Sequence, residues 1–445
     1  MVERVLVVGY GRTGQAVARV LAGRGLRVRA ADARDAAALG AGAPPPGVEL
    51  RTGTDGPELL DGVDLVVPSP GVPSRAPVLA EAARRRIPVR SEIEVAARAL
   101  ACPIVGITGT NGKSTTTTLV GLALGNAGRR TFTGGNLGTP LITALEAPGG
   151  GAYDVCVAEV SSFQLEWVET FRPRVGCLLN VTDDHLDRHP TFAAYRDTKA
   201  RLFAAQTPDD WAVLNRDDPA VIEIAPRLRA RVVTFGTTPH PWGASIEGGA
   251  VVLRLEGAPA ERYDLSRTRL AGRHNVDNIL AAVATARLAG ASPAAVQQAI
   301  DGMTPLAHRL TLVAERRGVR WYDDSKATNV GAAVRSLESF DGHVVLLAGG
   351  VDKGGSYAPL ATAARGRVRR AFVFGTAREQ IAAALATAGV PVDAVPTLAA
   401  AVAASSACAE PGDTVLLAPA CSSFDQFTDY AERGRAFAAA VEALG

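Results

Sequence analysis

Residues 102–120 read CPIVGITGTNGKSTTTTLV: a short apolar run, a turn carrying two glycines, then a hydroxyl-rich stretch that opens a helix. A strand that passes through a Gly-rich turn into a helix commits a chain to α/β architecture, because the helix packs back on the sheet and the next parallel strand needs a crossover. It also commits the turn to a narrow chemistry. Backbone N–H groups of Gly109, Thr110, Asn111 and Gly112 can cradle the phosphates of ATP at the helix start, and Lys113 reaches the outer ones. Ser114, followed by Thr115, supplies a hydroxyl for Mg²⁺. The commonest phosphate-loop spacing wants glycine five residues before Gly112, where this chain has Ile107, so the local turn is expected to differ from the usual one.

The same alternation runs through the chain. RVLVVG, a helix from about Gly14, VRAAD, DLVVPSP, a helix near 75–86 and IPV form a first α/β region. YDVCVAEV, VGCLLN, a helix near 192–204, WAVLN, strand-like residues 245–270 and a helical close over 274–301 follow the phosphate-loop turn. After the linker-like MTPLAHR come VRWYDDS, HVVLLAGG, RAFVFG and TVLLAPA, separated by Ala-rich helices. These predict three domains over 1–95, 96–305 and 306–445, in keeping with 445 residues at about 150 per domain.

Composition excludes several classes of function. With 47 basic and 45 acidic residues, nothing favours nucleic acid or an anionic membrane as a partner. Five cysteines (102, 156, 177, 408 and 421), an odd number with no C-x-x-C pair, argue against a disulfide framework or a structural zinc site and fit a reducing cytoplasm. The N-terminal apolar stretch is too short for a signal peptide, and no later run approaches the roughly 18 apolar residues of a membrane span. The expectation is a soluble, unexported, cytoplasmic monomer working on small molecules.

Of the 47 basic residues, 43 are Arg and only Lys113, Lys199, Lys326 and Lys353 are Lys. Arg is a permanently charged fork, whereas Lys can lose its proton and act as an amine, so each lysine is a candidate for chemistry Arg cannot perform. Gly9-Tyr10-Gly11-Arg12-Thr13-Gly14 follows a strand and opens a helix, with Asp32 ending the next strand, a pattern that suits a nucleotide diphosphate and fits NAD equally well. Glu159 closes DVCVAEV, and Asp183-Asp184-His185 follows VGCLLN; both fall where open α/β sheets place ligands. His185 is read as functional and His189 as a surface or helix-start residue.

Taken in order, TGTNGKS, GGNLG (134–138), AEVSSFQLE (158–166), NVTDDHLDRH (180–189), YRDTKARLF (195–203), GRHNVDN (272–278), AHR (307–309), DDSKATN (323–329) and GGVDKG (349–354) resemble the blocks of the Mur ligase family across essentially the whole chain. Its members are ATP-dependent amide-bond ligases of peptidoglycan precursor synthesis, and the family also includes folylpolyglutamate synthetase. The resemblance implies an α/β fold of three domains: a Rossmann-like N-terminal domain, a central P-loop ATPase-like domain and a Rossmann-like C-terminal domain. GYGRTG with Asp32, Ser69-Pro70-Gly71, SSFQLE and PACSSFDQF followed by Glu432-Arg433-Gly434 resemble the branch that adds D-glutamate to UDP-N-acetylmuramoyl-L-alanine, and the D-N-P-R motif of the diaminopimelate- or lysine-adding branch is absent.

The resemblance also implies roles. Lys113, Glu159, His185 and Lys199 would be catalytic, with Ser114 and Glu159 on one Mg²⁺, and His185 and a carbamylated Lys199 on a second. ATP would be held by residues 109–115 with Asn275, Asn278, Arg309, Asp324 and Lys326. Gly11, Arg12, Thr13, Gly14, Asp32, Arg34, Gly71, Asn136 and His185 would hold the UDP-linked acceptor. Thr328, Lys353, Ser423 and Tyr430, at a position where the family has Phe, would receive D-glutamate. The competing local readings are that Asn275 and Asn278 start a helix, Asp324 caps one and Ser423 satisfies a loop. Competing functions are a Mur-type ligase using another amino acid, a nicotinamide-dependent dehydrogenase and a non-catalytic nucleotide sensor.

Overall fold

The computed structural model describes residues 2–39, 43–146, 153–185, 188–270, 272–340 and 342–444. The chain is α/β throughout and forms three sheets distributed over two compact units. Residues 1–180, 193–266 and 278–301 make the first unit, and residues 181–192, 267–277 and 302–445 the second.

The first unit opens with a parallel sheet of β1 (Arg4–Val8), β2 (Arg27–Asp32), β3 (Val48–Thr52) and β4 (Leu65–Pro68) in the order β3-β2-β1-β4. The stretch IPV, read as strand-like, makes only an isolated bridge between Val89 and Val66. The boundary expected after residue 95 falls inside the helix Glu92–Ala99. That helix is tied down by Glu94, whose carboxylate accepts from the amides of Glu169, Thr170 and Phe171 and from the Thr170 hydroxyl. A carboxylate with that many donors is well satisfied although buried, so it fixes the helix to the segment that precedes the next sheet's fourth strand.

The second sheet holds β5 (Ile104–Thr108), β6 (Thr131–Gly135), β7 (Val155–Glu159), β8 (Val175–Leu178), β9 (Trp211–Asn215), β10 (Arg231–Phe235), β11 (Gly243–Glu247), β12 (Ala250–Arg254) and β13 (Glu261–Tyr263). Its order is β13-β12-β11-β10-β9-β8-β5-β7-β6, parallel from β6 to β11 and antiparallel beyond. β5, β7 and β8 are neighbours, and all of their residues are buried. Buried parallel strands read as unbroken apolar runs, which is why these three were legible in the sequence.

The second unit is built on β14 (Thr311–Arg316), β15 (Val319–Asp323), β16 (Val344–Gly349), β17 (Val368–Phe374), β18 (Val392–Ala394) and β19 (Thr414–Leu417), in the order β14-β15-β19-β16-β17-β18, with only the β14–β15 pair antiparallel. Along β16, Val344, Leu346 and Ala348 enter one hydrophobic core and Val345 and Leu347 the other, so the sheet is covered on both faces. No helix among the described residues is long and apolar enough to cross a membrane.

Candidate functional site

β5 delivers the chain into the Gly109–Ser114 turn, and the helix Lys113–Asn126 leaves it with Gly112 as its N-cap. Gly112 has φ +83°, and a Cβ there would stand 2.1 Å from Oδ1 of Asn278, so side chains are excluded twice over. Asn180, just beyond β8, clamps the turn: its carbonyl accepts from the Thr110 amide at 2.9 Å and its Oδ1 from the Asn111 amide at 2.8 Å, while its Nδ2 donates to the Asn111 carbonyl at 3.1 Å. Lys113 Nζ donates to the carbonyls of Gly109 and Thr110 at 2.9 and 2.8 Å. Lys199, in the helix Phe192–Ala200 and only 1% exposed, donates its Nζ to the same Gly109 carbonyl at 2.9 Å and lies 4.4 Å from the centre of the Tyr195 ring. Two ammonium groups therefore share one carbonyl oxygen within about 6 Å of each other, where like charges repel. A polyanion on the turn relieves that repulsion.

Glu159 ends β7 beside β5, with Ile107 as its register partner, and is 3% exposed. Asn136 donates Nδ2 to Glu159 Oε1 at 2.7 Å, so these two predicted residues meet. Among the described residues no three His, Cys, Asp or Glu side chains form a metal cluster. The donor set nonetheless fits Mg²⁺, which takes hard oxygen ligands and is commonly held by one or two carboxylates together with substrate phosphates; Ser114 and Glu159 are both oxygen donors. Lys199 as an ammonium cannot ligate a cation.

At the turn after β1, Gly14 is dictated by packing, since a Cβ there would lie 1.9 Å from the Gly9 carbonyl oxygen. Ser69 Oγ donates to that same carbonyl at 2.6 Å. Gly11 is the N-cap of the helix Arg12–Gly23, on which Arg12 and Thr13 are the first residues, and Arg12 reaches the Gly138 carbonyl at 3.5 Å. Asp32 accepts from the Tyr10 amide at 2.8 Å and from Arg34 through its amide, Nε and Nη2 at 2.9–3.0 Å. The Arg34 guanidinium, then burial opposing it, leaves the Asp32 carboxyl held down at about 2. Asp32 thus holds Arg34, whose side chain stays half-exposed beside the turn. Space is open at Gly71.

The second unit gathers most of the remaining predicted residues. Asp184 accepts from Asn329 Nδ2 at 2.9 Å and from Lys353 Nζ at 3.4 Å. His185 follows it with φ +56°, its amide donating to Asp184 Oδ1 at 3.0 Å. His189 corrects the sequence reading: it is 4% exposed, not a surface residue, and the next helix begins at Phe192, because its amide turns back onto the His185 carbonyl at 2.9 Å. Asp324 caps no helix. It accepts from the Leu310 amide at 3.3 Å and from the Ser336 hydroxyl, and burial pushes its carboxyl up to about 6 against the pull of Ser336 and Arg309. The cap is Asn329, which accepts from the Ala332 amide ahead of the helix Val330–Leu337. Asn275 and Asn278 stand one turn apart inside the helix Arg273–Leu288.

Lys326 places Nζ 3.7 Å from the centre of the Tyr430 ring, so a residue predicted for ATP and one predicted for D-glutamate touch. The Thr328 amide donates to the Lys326 carbonyl at 2.7 Å. Ser423 is buried, and its carbonyl accepts from the Gln426 and Phe427 amides.

Sequence reasoning passed over several residues that hold these groups: Asn180, Tyr195, Asn329, His274, His308 and Arg433. His308 Nδ1 bonds Asp323 Oδ2 at 2.6 Å. Burial, then Arg335 and Arg309, press His274 down to about 4, which makes it a neutral imidazole beside two guanidinium groups. Arg433 is 0% exposed and donates to Ser325 Oγ and to the carbonyls of Ser325, Cys421, Gly349 and Ser422. The signal was present, since each lies within or beside a block already singled out, but most of their partners lie far away in the chain.

Residues 3–91 match the Mur ligase MurD-like N-terminal domain, residues 107–286 the Mur ligase middle domain and residues 308–421 the Mur ligase glutamate ligase domain. The UDP-N-acetylmuramoylalanine--D-glutamate ligase of Geobacter metallireducens is 46% identical, covering 100% of this chain and 98% of the relative. That of Anaeromyxobacter dehalogenans is 47% identical over 98% of this chain and 96% of its own length. Among solved structures, the UDP-N-acetylmuramate-alanine ligase MurC of Thermotoga maritima shares the fold, with a TM-score of 0.61, 18% identity and full coverage of both chains. Folylpolyglutamate synthase of Mycobacterium tuberculosis gives a TM-score of 0.58 and 18% identity over 78% of this chain and 94% of its own. The phosphate-loop turn, the order of the three sheets along the chain and similarity over the full length converge on one assignment: this chain belongs to the Mur ligase family.

Proposed function

We propose that this protein is the ligase that joins D-glutamate to UDP-N-acetylmuramoyl-L-alanine at the expense of ATP, in cytoplasmic peptidoglycan precursor synthesis. The observation that carries the ATP-dependent step is the convergence of Lys113 and Lys199 on the Gly109 carbonyl, two of the chain's four lysines brought to one phosphate-loop atom. The choice of substrates rests on the full-length relatives at 44–47% identity that bear this activity in their names.

A carboxylate does not react with an amine at neutral pH, because it is resonance-stabilised and lacks a leaving group. Transfer of the γ-phosphoryl group of ATP to the L-alanyl carboxylate makes an acyl phosphate and ADP. The amine of D-glutamate attacks its carbonyl, the C–O bond to phosphate breaks, and the amide, phosphate and a proton are released. Phosphoryl transfer is served chiefly by positioning and charge. In this reading the amides of residues 109–115 and the Lys113 ammonium hold the phosphates, while Asn275, Asn278, Arg309, Asp324 and Lys326 hold the rest of the nucleotide. Ser114 and Glu159 would hold one Mg²⁺, and His185 and a carbamylated Lys199 are the residues proposed for a second; bound there, Mg²⁺ would supply positive charge to offset that on the phosphates.

Lys199 acts as a carbamate: its amine adds CO₂ and releases a proton, exchanging an ammonium that repels Lys113 for an anion that attracts it. Arg34, oriented by Asp32, and the turn residues Gly11, Arg12, Thr13 and Gly14 receive the UDP portion, with Gly71, Asn136 and His185 along the acceptor. Lys353, Thr328, Ser423 and Tyr430 receive D-glutamate, and Asp184 sets the position of Lys353. The protein works as a monomer on these small molecules.

The test is phosphate release from ATP and Mg²⁺ with UDP-N-acetylmuramoyl-L-alanine, comparing D-glutamate, L-glutamate and diaminopimelate. Turnover with D-glutamate alone is expected. Turnover only with another amino acid reassigns the step, and no turnover with any of them removes the ligase reading.

A further inference from the structure

At the opposite end of the central sheet from the phosphate loop, two thiols meet. Cys102 lies just ahead of β5 and Cys156 is the second residue of β7; Ile104 is the register partner of Cys156, and the Cys156 amide donates to the Pro103 carbonyl at 3.0 Å. Their sulfur atoms stand 3.4 Å apart. A disulfide needs roughly 2.05 Å between sulfurs, so a small movement at two strand ends closes the gap. The two thiols differ in access. Cys156 is buried, whereas Cys102 is partly exposed at the edge of a cleft of about 340 Å³ lined also by Arg98, Thr170, Arg172 and Arg174. The remaining cysteines are placed otherwise: Cys421 touches the Tyr357 hydroxyl and Cys408 the Ser405 carbonyl.

We propose that Cys102 and Cys156 form a modification site at which hydrogen peroxide oxidises the pair to an intramolecular disulfide. The Cys102 thiolate attacks a peroxide oxygen, the O–O bond breaks, and Cys102 becomes a sulfenic acid while the leaving oxygen departs as water after taking a proton from solvent. Cys156 sulfur then attacks the Cys102 sulfur, the S–O bond breaks, and the thiol proton leaves with the hydroxyl as a second water. Two thiols are oxidised and one peroxide is reduced to two waters. The order of events follows from access, since the exposed sulfur meets the oxidant and the buried one resolves it. The hydrogen bond shared with Cys156 outweighs burial and lowers the Cys102 thiol, which favours its thiolate. The bond would tie the strand leading to Gly109 to the strand ending at Glu159, at the end remote from both.

The experiment is treatment of the full chain with hydrogen peroxide, then tryptic mapping without reduction. The cysteines separate cleanly, because Cys102 falls in peptide 99–113, Cys156 in 131–174 and Cys177 in 175–188. The expected result is a mass loss of about 2 Da in the intact protein, peptides 99–113 and 131–174 joined, and reversal by dithiothreitol. Cys102→Ser and Cys156→Ser each abolish the joined species, and the wild-type map decides the matter even where a variant fails to fold. Cys102 accumulating added oxygen without a cross-link, a cross-link between other cysteines, or unaltered thiols after peroxide would each overturn the proposal.

Discussion

The Lys199 ammonium donates to the carbonyl oxygen of Gly109 at 2.9 Å, inside a protein that uses Arg for almost every other cation. A guanidinium would keep the charge but could not become a carbamate. Lys199→Ala and Lys199→Arg are both expected to lower kcat by about 100-fold or more, with the arginine variant no better than alanine. Short carboxylic acids should restore part of the alanine variant's phosphate release. Full activity in the arginine variant would rule out a chemical role for the amine.

Asn180 satisfies three backbone groups of the phosphate-loop turn with one side chain and its own carbonyl. Asn180→Ala removes two of these bonds, those of its side chain to the Asn111 amide and carbonyl. A loss of about 1–3 kcal/mol in urea unfolding is expected, together with a raised KM for ATP and a smaller change in kcat. Equal ATP affinity in variant and parent would mean that the turn keeps its shape unaided.

Asp324 titrates at about 6 in the folded protein, above its ordinary carboxyl value of 3.8, with burial as the main cause. A raised carboxyl pKa means that the folded state holds the proton more tightly than the unfolded one. Its contribution therefore favours folding at low pH and is lost as pH rises from about 4 to about 6, by on the order of 3 kcal/mol. Asp324→Asn keeps an acceptor for the Leu310 amide and should flatten this part of the stability profile in denaturant titrations at stepped pH. A variant with the parent's slope would place the titration elsewhere.

Arg433 is buried on the oxygens of Ser325, Gly349, Cys421 and Ser422, and burial lowers its guanidinium to about 10. Its fork spans strand ends that a single ammonium cannot bridge. Arg433→Lys is expected to destabilise by about 3 kcal/mol or more, and to raise KM for D-glutamate more than KM for the UDP-linked acceptor. Because Ser422 precedes Ser423, an unchanged D-glutamate KM in a folded Arg433→Lys protein would confine Arg433 to stability alone.

Strands β5, β7, β8, β16, β17 and β19 were legible because buried parallel strands are written as continuous apolar runs, whereas β15, antiparallel to β14 on one side, shows alternation, with Val319, Trp321 and Asp323 buried and Arg320 exposed. β3, β6, β14 and β18 were not read as strands, and all four are sheet edges, where half-exposed residues weaken the pattern. β10 was missed although it lies inside the sheet, between β9 and β11. The long closing helical region read over 274–301 is two helices, Arg273–Leu288 and Pro293–Gly302, broken ahead of Pro293.

The sequence by itself determined the strand–turn–helix order around Gly109, the glycines those turns require, the scarcity of lysine and the blocks that mark the family, since all of these are local in the chain. Only the tertiary structure decided that Lys199 and Lys113 share one carbonyl, that Asn180 clamps the turn, that Asp32 spends its carboxylate on Arg34 and that Lys326 lies on Tyr430. The physical reason for the first two is sheet order: crossovers set β5 between β7 and β8, and so bring residues distant in sequence to one edge, a placement that no local spacing encodes. Lys326 and Tyr430 meet because the helix Tyr430–Glu442 packs against β15, and Asp32 and Arg34, only two residues apart, meet because the chain turns at the end of β2.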